Sequence, residues 1–435
     1  MVRNTAVCAT LLLAANLLRG ADAPSRTVVV ISLDGFPAYA LGDPKLPIPT
    51  LRRLIREGAS AAAMSVVNPS VTWPNHTTMV TGVPPSKHGV LFNGMLVRDT
   101  GTPPMRVEPW RDKAEMVRVP TVYDLAFRAG LTTAQVDWVA IQNPGTITWA
   151  FPERPDPAGK IETEMVAEGL VTKPELEEFS KSNITWRDQI WTRAAVHLIV
   201  KHKPNLLLFH LLNLDSTHHT YGPRTPAGIT AMAMLDTQVR QVLDALEAAG
   251  LKDRSTVLIV SDHGFKTTQK GVRANALLKK AGLAKAAYAI PEGGTAMLYL
   301  TDAANWSERI RELGRLFDKV EGVYARRGAF AALDMPEPGE YRQMADLLLV
   351  AKDGYTFAGG DGEPAVFDLP RPGGSHGYLH SDPEMNAIFI AWGHGIKPGA
   401  KLDRIRNLDV APTIAVLLGL DLKGVDGAPL RAILK

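Results

Sequence analysis

Four short runs of apolar and β-branched residues are the feature that most constrains how this chain folds. Each run is too short for a typical helix and too continuously apolar for a strand with one face in water. Such runs are typical of strands that are buried on both faces of a parallel sheet. The four runs are TVVVISLD (27–34), LLLFHLLNLD (206–215), STVLIVSDHG (255–264) and NAIFIAWG (386–393).

Amphipathic helical patterns lie between the four runs. IPTLRRLIREGA, VPTVYDLAFRAG and TAMAMLDTQVRQVLDALEAAG carry apolar residues three and four positions apart, and the last two end in glycine, as a helix C-cap does. Alternation of strands and helices predicts an α/β fold. The expected architecture is an open, mostly parallel sheet with helices on both faces.

The composition bounds the class of protein. With 435 residues, of which 46% are hydrophobic, the chain can bury a large core, as one α/β domain with insertions or as two smaller domains. Lys and Arg number 48 against 45 Asp and Glu, which gives a net charge of +3. This near balance predicts no nucleic-acid groove, because such a groove needs a clear excess of basic charge.

The first 23 residues have the pattern of a signal peptide. Arg3 precedes an apolar stretch (6–18), and the small-residue sequence Ala-Asp-Ala follows at 21–23. The stretch is shorter than the roughly 20 residues that span a bilayer, so cleavage is favoured over an uncleaved anchor and no stable membrane span is expected afterwards. The only cysteine, Cys8, lies in this segment. We therefore expect an exported protein, periplasmic or secreted, whose mature chain (24–435) has no disulfide.

Acidic and imidazole side chains recur at or near the ends of the predicted strands. One such residue alone is usually a cap or a turn former. The carboxyl ends of parallel strands meet at one edge of the sheet, where several carboxylates would stay unpaired unless cations neutralise them. Carboxylate oxygen and imidazole nitrogen suit zinc and, less selectively, manganese or iron. The residues are Asp34, Asp215, His219, Asp262, His263 and His376.

Five short motifs carry a family resemblance. LDGFP, TWPNH, DSTHHTYGP, SDHGF and GSHGY resemble the type I phosphodiesterase / nucleotide pyrophosphatase family of the alkaline phosphatase superfamily, in order along residues 27–413. The resemblance implies an alkaline-phosphatase-like three-layer sandwich with a mostly parallel central sheet. It also implies two Zn²⁺ per chain. One would be surrounded by Asp34, Thr72, Asp262 and His263, and the other held by Asp215, His219 and His376.

The threonine of TWPNH has the central role in this resemblance. Thr72 would be the nucleophile that forms a phosphothreonine intermediate, and a zinc ion would favour its ionised form. The alternative is that Thr72 caps a helix whose first turn contains Pro74. Asn93 would donate to a phosphate oxygen, and Trp73 would either stack on a flat substituent of the substrate or pack the helix start.

The expected substrate is a small-molecule phosphate ester, either a nucleotide or another phosphodiester. Val71 departs from the family pattern, in which a lysine precedes the nucleophile, and this neutral site suits the single charge of a diester. Phosphomonoesterase and phosphonoacetate hydrolase of the same superfamily stay open as alternatives. A catalytically inactive, metal-binding relative is the alternative that is not an enzyme.

About a hundred residues separate SDHGF from GSHGY, and an insertion of this length cannot simply extend a parallel sheet. We expect residues 266–373 to form a small α+β cap subdomain over the site. Insertions of this kind carry substrate specificity.

Overall fold

The computed structural model describes residues 26–302 and 304–435, so the predicted signal peptide (1–23) lies outside the described residues. The described residues form seventeen strands and thirteen α-helices. The strands are β1 (Thr27–Leu33), β2 (Ala59–Ser65), β3 (Met95–Arg98), β4 (Met105–Glu108), β5 (Thr133–Val136), β6 (Trp149–Phe151), β7 (Leu206–Leu211), β8 (Ser255–Val260), β9 (Lys266–Val272), β10 (Ala287–Glu292), β11 (Thr295–Leu300), β12 (Val323–Arg326), β13 (Leu347–Ala351), β14 (Gly354–Phe357), β15 (Val366–Ser375), β16 (Phe389–Gly393) and β17 (Ala400–Arg406). The helices are α1 (Pro49–Glu57), α2 (Thr72–Thr81), α3 (Pro85–His88), α4 (Lys113–Met116), α5 (Val122–Arg128), α6 (Lys160–Ala167), α7 (Lys173–Glu177), α8 (Ile184–His197), α9 (Asn213–Tyr221), α10 (Pro226–Ala248), α11 (Ala274–Lys280), α12 (Trp306–Phe317) and α13 (Val410–Leu417).

Eight strands form the central sheet in the order β17-β2-β16-β8-β1-β7-β5-β6. The four apolar runs of the sequence supply its adjacent middle strands, β16, β8, β1 and β7. All neighbours pair in parallel except β16, which is antiparallel to both β8 and β2. The predicted α/β fold with a mostly parallel central sheet is confirmed.

Side chains of the middle strands alternate between two apolar layers, one on each face of the sheet. In β1, Val28 and Val30 enter the layer that holds α2, α5 and α13, whereas Val29 and Ile31 enter the layer that holds α1, α8 and α10. All four of these side chains are buried. Burial on both faces explains why these strands are continuously apolar in sequence.

The three helical patterns in the sequence correspond to α1, α5 and α10. The glycines that follow the last two helices, Gly130 and Gly250, have φ of 79° and 68°. This left-handed conformation is the one in which a glycine ends a helix at little steric cost. The predicted helices and their glycine C-termini are therefore confirmed.

The second strand ends earlier than its sequence predicts. β7 stops at Leu211, and Asp215 lies in the first turn of α9 rather than at a strand end. The cause is Asp188 of α8, whose carboxylate accepts hydrogen bonds from the backbone N–H groups of Leu212 (3.0 Å) and Asn213 (3.1 Å). Those N–H groups begin α9 and have no partner within the helix, so a buried carboxylate here favours helix over strand.

Residues 266–375 leave the central sheet and form two smaller sheets. One has the order β14-β9-β15, and the other, β10-β11-β13-β12, pairs antiparallel throughout. Helices α11 and α12 belong to the same segment. Its role as a cap subdomain, and the boundaries given above for it, stay a prediction.

Across the described ranges, no helix combines the length and the apolar character needed to cross a bilayer.

We predict that Ile31→Ala lowers the free energy of unfolding by about 2–5 kcal/mol, because it removes a fully buried side chain from the middle of the sheet. Ile229→Ala is the matched control: Ile229 lies on α10 with 37% of its surface exposed, so the loss there should stay within about 0.5 kcal/mol. Urea unfolding of both variants measures the difference. Equal losses of unfolding free energy in the two variants would contradict the conclusion that the side chains of the central sheet form the core.

Candidate active site

The residues singled out in the sequence meet at the carboxyl edge of the central sheet. Asp34 directly follows β1, and Asp262 and His263 follow β8. Asp215 and His219 lie one turn apart on α9, so both face the same side of that helix. His376 reaches the same edge because the segment before the antiparallel strand β16 starts where its parallel neighbours end.

The first group consists of Asp34, Asp262 and His263, all of which are fully buried. The backbone N–H groups of Gly35 and His263 donate to Asp262 Oδ1, at 3.1 and 3.0 Å. The other oxygen, Oδ2, lies 3.2 Å from His263 Nε2, which is also 3.4 Å from Asp34 Oδ1. One oxygen from each acid therefore lies within 3.4 Å of the same imidazole nitrogen.

The second group consists of Asp215, His219 and His376. The Nε2 atoms of His219 and His376 lie 3.4 and 3.6 Å from Asp215 Oδ1. The His376 ring stacks on the His263 ring of the first group, with 3.7 Å between ring centroids. Asp215 also lies close to Asp34 and His263, with ligand atoms of the three within 4.8 Å of one another. The two groups thus share a boundary at Asp215.

The hydrogen bonds of the three histidines fix which ring nitrogen faces the acids. Nδ1 of His263, His219 and His376 lies 3.1, 3.2 and 3.0 Å from the backbone carbonyls of Gly264, Gly374 and Ser70, respectively. A carbonyl can only accept, so each Nδ1 carries the proton. Nε2 is therefore the ring nitrogen directed toward the acids, as it is in many histidines that bind metals.

The buried atoms of the site fit a cation. Within the described residues, Asp34 Oδ1, Asp215 Oδ1, Asp262 Oδ2 and His263 Nε2 have no hydrogen-bond partner. Burial, followed by the charges of Asp262 and Asp215, raises the pKa of Asp34 well above its ordinary value of 3.8. Burial and the neighbouring His263 and His219 lower the pKa of His376 well below its usual range. A set of carboxylate oxygens without partners and imidazole nitrogens matches the donors that zinc binds.

Thr72 begins α2 and lines a cleft of about 270 Å³ together with Asp215, His219 and His376. The N-cap of α2 is Val71, whose side chain makes no capping hydrogen bond. The alternative in which Thr72 is the helix cap is therefore wrong. Its position instead places a hydroxyl at a helix N-terminus in front of the acid and histidine groups, where anions are favoured.

Asn93 and Trp73 lie beside this helix start. The Trp73 backbone N–H donates to Asn93 Oδ1 at 2.9 Å, so the amide oxygen is occupied and the Nδ2 hydrogens are left to donate elsewhere. The Trp73 side chain belongs to an apolar cluster that includes Val90 and Val139, and it also lines the cleft. Both functions that the sequence left open for Trp73, packing and contact with substrate, are compatible with this position.

His210 is a member of the site that the sequence analysis did not single out. Its Nε2 lies 2.9 Å from Asp34 Oδ2, and its Nδ1 lies 3.1 Å from Asp137 Oδ2. Burial opposes a charge on this ring, but the carboxylates of Asp137 and Asp34 raise the pKa of His210 well above its usual range. The sequence showed only a histidine inside the apolar run LLLFHLL. A histidine in that position is equally typical of an ordinary protein core.

Three further residues were also missed. His76, one turn along α2 from Thr72, has its Nδ1 2.9 Å from the Thr72 carbonyl and 3.6 Å from Asp262 Oδ2. Trp110 and Glu153 line the cleft from loop and strand-end positions. No spacing or motif in the sequence points to these last two residues.

The three-layer architecture, with acids and histidines at the carboxyl edge of the sheet, defines an alkaline-phosphatase-like α/β protein. A family model described as type I phosphodiesterase / nucleotide pyrophosphatase matches residues 28–379. The chain belongs to this family, and the resemblance read from its motifs is confirmed.

Curated relatives support the same family. The chain is 24% identical over 439 residues to ectonucleotide pyrophosphatase/phosphodiesterase family member 7 of Homo sapiens, covering 98% of this chain and 88% of that protein. It is 26% identical over 419 residues to an uncharacterized pyrophosphatase/phosphodiesterase of Schizosaccharomyces pombe, covering 92% of this chain and 78% of that one.

Solved structures show the same fold. Murine ectonucleotide pyrophosphatase / phosphodiesterase 5 matches with a TM-score of 0.73 at 18% identity, covering 94% of this chain and all of that chain. The inactive T72A form of that murine protein, in complex with AMP, matches with the same TM-score, identity and coverage.

We predict that the metal-free protein becomes less stable as pH rises, and that Asp34→Asn weakens this dependence. Without metal, folded Asp34 keeps a proton that the unfolded chain releases near pH 3.8. Its contribution to stability therefore falls as pH rises from 3.8 to the raised pKa of the folded state.

The measurement is thermal unfolding in chelator between about pH 5 and about pH 8. Asp34→Asn should unfold at a higher temperature than the wild type at the upper pH, with a smaller difference at the lower pH. Added zinc should then stabilise the wild type more than the variant. Parallel pH profiles for the two proteins in chelator would contradict the account.

Proposed function

We propose that this chain is a zinc-dependent phosphodiesterase / nucleotide pyrophosphatase that cleaves phosphodiester or phosphoanhydride bonds through a phosphothreonine intermediate. The observation that carries the proposal is the position of Thr72. Its hydroxyl lies at the N-terminus of α2, in one cleft with Asp215, His219 and His376. A weak nucleophile is thereby placed beside residues that can hold an activating cation.

The proposed ligands follow the two groups in the site. Asp34, Asp262 and His263 would hold one Zn²⁺ next to Thr72, and Asp215, His219 and His376 would hold the other. The support is the set of unpaired oxygens and the three histidines with Nδ1 protonated. When bound, zinc supplies positive charge that favours an ionised hydroxyl and neutralises charge on a phosphoryl group.

In the proposed reaction, the Thr72 oxygen forms a bond to phosphorus while the bond to the leaving oxygen breaks. The Thr72 proton passes to solvent, and the leaving oxygen departs as a phosphate or takes up a proton from solvent and departs as an alcohol. Water then hydrolyses the phosphothreonine and restores the hydroxyl. The N-terminus of α2 and the free Nδ2 hydrogens of Asn93 would stabilise charge on the phosphoryl oxygens.

His210 is proposed as a positioning residue in this scheme. His210 Nε2 lies 2.9 Å from Asp34 Oδ2, which is the carboxylate oxygen that faces away from His263. Asp34 Oδ1 is thereby turned toward the site. A partner that fixes a ligand carboxylate in this way commonly affects metal affinity without contacting the metal.

The charge of the cleft favours a diester over a monoester. Of the described residues that line it, none is Lys or Arg, whereas Asp137 and Glu153 are present. A monoester has one more negative charge on its phosphoryl group, which a specialised site would match with an added cation. The AMP complex of the murine relative makes nucleotide phosphate esters the first substrates to test.

We predict that Thr72→Ala folds and binds metal but loses about a thousandfold or more in kcat, whereas Thr72→Ser retains part of the activity. Thr77→Val is the matched control on the same helix. It exchanges a buried hydroxyl that has no hydrogen-bond partner for a methyl group, so its rate should stay near the wild-type value.

The measurements for these variants are hydrolysis of an aryl phosphodiester and mass spectrometry after an acid quench, which should find a phosphoryl group on Thr72. Wild-type activity in Thr72→Ala would refute the phosphothreonine scheme. Full metal loading of the wild type with no hydrolysis of any phosphate ester would instead identify an inactive metal-binding relative.

We also predict a higher kcat/KM for a bis-aryl phosphate or a nucleotide diester than for the matching monoester, because the cleft has acidic rather than basic walls. Both substrates are to be compared on one zinc-loaded preparation. A clear monoester preference would reassign the chain as a phosphomonoesterase, and activity confined to phosphonoacetate would reassign it as a C–P hydrolase.

A further inference from the structure

A second cluster of histidine and glutamate residues lies at the opposite edge of the central sheet. It consists of Glu164 on α6, His197 at the end of α8, and His202 in the turn that follows α8. One potential ligand atom from each residue lies within 4.8 Å of the others. His202 precedes β7, whereas the active site begins beyond its other end, so the length of a six-residue strand, about 20 Å, separates the two places.

The two imidazoles converge on one carboxylate oxygen. His197 Nε2 and His202 Nε2 lie 3.1 and 2.6 Å from Glu164 Oε2. The His202 ring also packs on Trp149, with 4.7 Å between ring centroids, which limits its rotation. Two ring nitrogens and one carboxylate oxygen are therefore directed at the same small volume.

An irregular backbone makes this convergence possible. Five residues of regular α-helix would separate two side chains by roughly 140° around the axis. Here Leu198–His202 form a π-helical turn, which brings positions five apart onto one face. The turn ends at Lys203, a non-glycine residue with φ of 50° whose N–H donates to the Leu198 carbonyl at 2.9 Å. Such turns are frequent at functional sites.

The outer hydrogen bonds resemble those of a metal ligand. His197 Nδ1 lies 3.0 Å from Glu168 Oε2, and the other oxygen of Glu168 accepts from Lys201 Nζ at 2.6 Å. In metal sites, a carboxylate commonly holds the Nδ1 proton of a histidine in this way and leaves Nε2 free to bind. His197 is nearly fully buried, whereas the side chains of His202 and Glu164 are 12% and 21% exposed, so solvent reaches the cluster from one side.

We propose that Glu164, His197 and His202 bind a divalent cation of the zinc class, at a site separate from the active site. Two imidazoles and a carboxylate are a common zinc ligand set and leave a fourth position for water. The bound cation would join α6 to the end of α8. The competing explanation is a hydrogen-bonded network in which His197 pairs with Glu164 and Glu168 and no metal binds.

The test uses the full chain, stripped with chelator, reloaded with Zn²⁺ and freed of excess metal. Elemental analysis should find one zinc fewer per chain in His202→Phe than in the wild type. This variant keeps a ring against Trp149 but removes the ligand nitrogen. Its hydrolysis of an aryl phosphodiester should be unchanged, because the cluster lies at the other edge of the sheet. Equal zinc content in the two proteins would overturn the proposal.

Two further variants separate a metal site from a charged network. Glu168→Gln should weaken Co²⁺ binding at this site by about 10- to 100-fold, as loss of an outer carboxylate does in metal sites. Lys201→Met removes a positive charge that lies 3.6 Å from Glu164 Oε2 and would repel a bound cation. Co²⁺ should therefore bind to this variant at least as tightly as to the wild type. The visible absorption of Co²⁺ reports both affinities. A Co²⁺ titration that is the same in the wild type, Glu168→Gln and His202→Phe would overturn the proposal.

Discussion

The structure depends on the burial of three carboxylates at one edge of the sheet. Asp34, Asp215 and Asp262 are all buried where β1, α9 and β8 meet. Burying carboxylates together costs free energy unless positive charge or hydrogen bonds compensate for their lost hydration. The chain provides part of that compensation through backbone N–H groups on Asp262 and through His210 on Asp34. One oxygen of each of these three carboxylates is left without a hydrogen-bond partner.

The path of the chain explains why β16 is antiparallel to both of its neighbours in the sheet. The chain leaves β8 at the carboxyl edge, builds the segment 266–375, and returns to the same edge with His376. A strand that starts at that edge must run antiparallel to the strands that end there. Sequence identifies β16 as a buried apolar run, but its direction follows only from where the inserted segment begins and ends. The position of His376 depends on this reversal.

The sequence predicted the architecture because the middle strands are buried on both faces, and a continuous apolar run expresses that burial directly. It also named the acids and histidines that the structure brings together, since they occupy motifs with fixed spacing. His210 was not predicted, because one histidine in an apolar strand looks the same whether it packs in a core or faces Asp34. The helix that carries Asp215 was missed for a different reason: Asp188, 27 residues away, starts it through long-range hydrogen bonds.

The outer partners of the histidines distinguish the two candidate metal sites. At the carboxyl edge of the sheet, backbone carbonyls accept from Nδ1 of the three histidines that are proposed as ligands. At the opposite edge, His197 Nδ1 instead lies 3.0 Å from the carboxylate of Glu168. A carboxylate makes the bound imidazole a stronger donor, which lowers the effective charge of a cation, whereas a neutral carbonyl does so less. The carbonyl arrangement would therefore keep the cation proposed beside Thr72 electrophilic, and the carboxylate arrangement would suit the cation proposed to join α6 to α8.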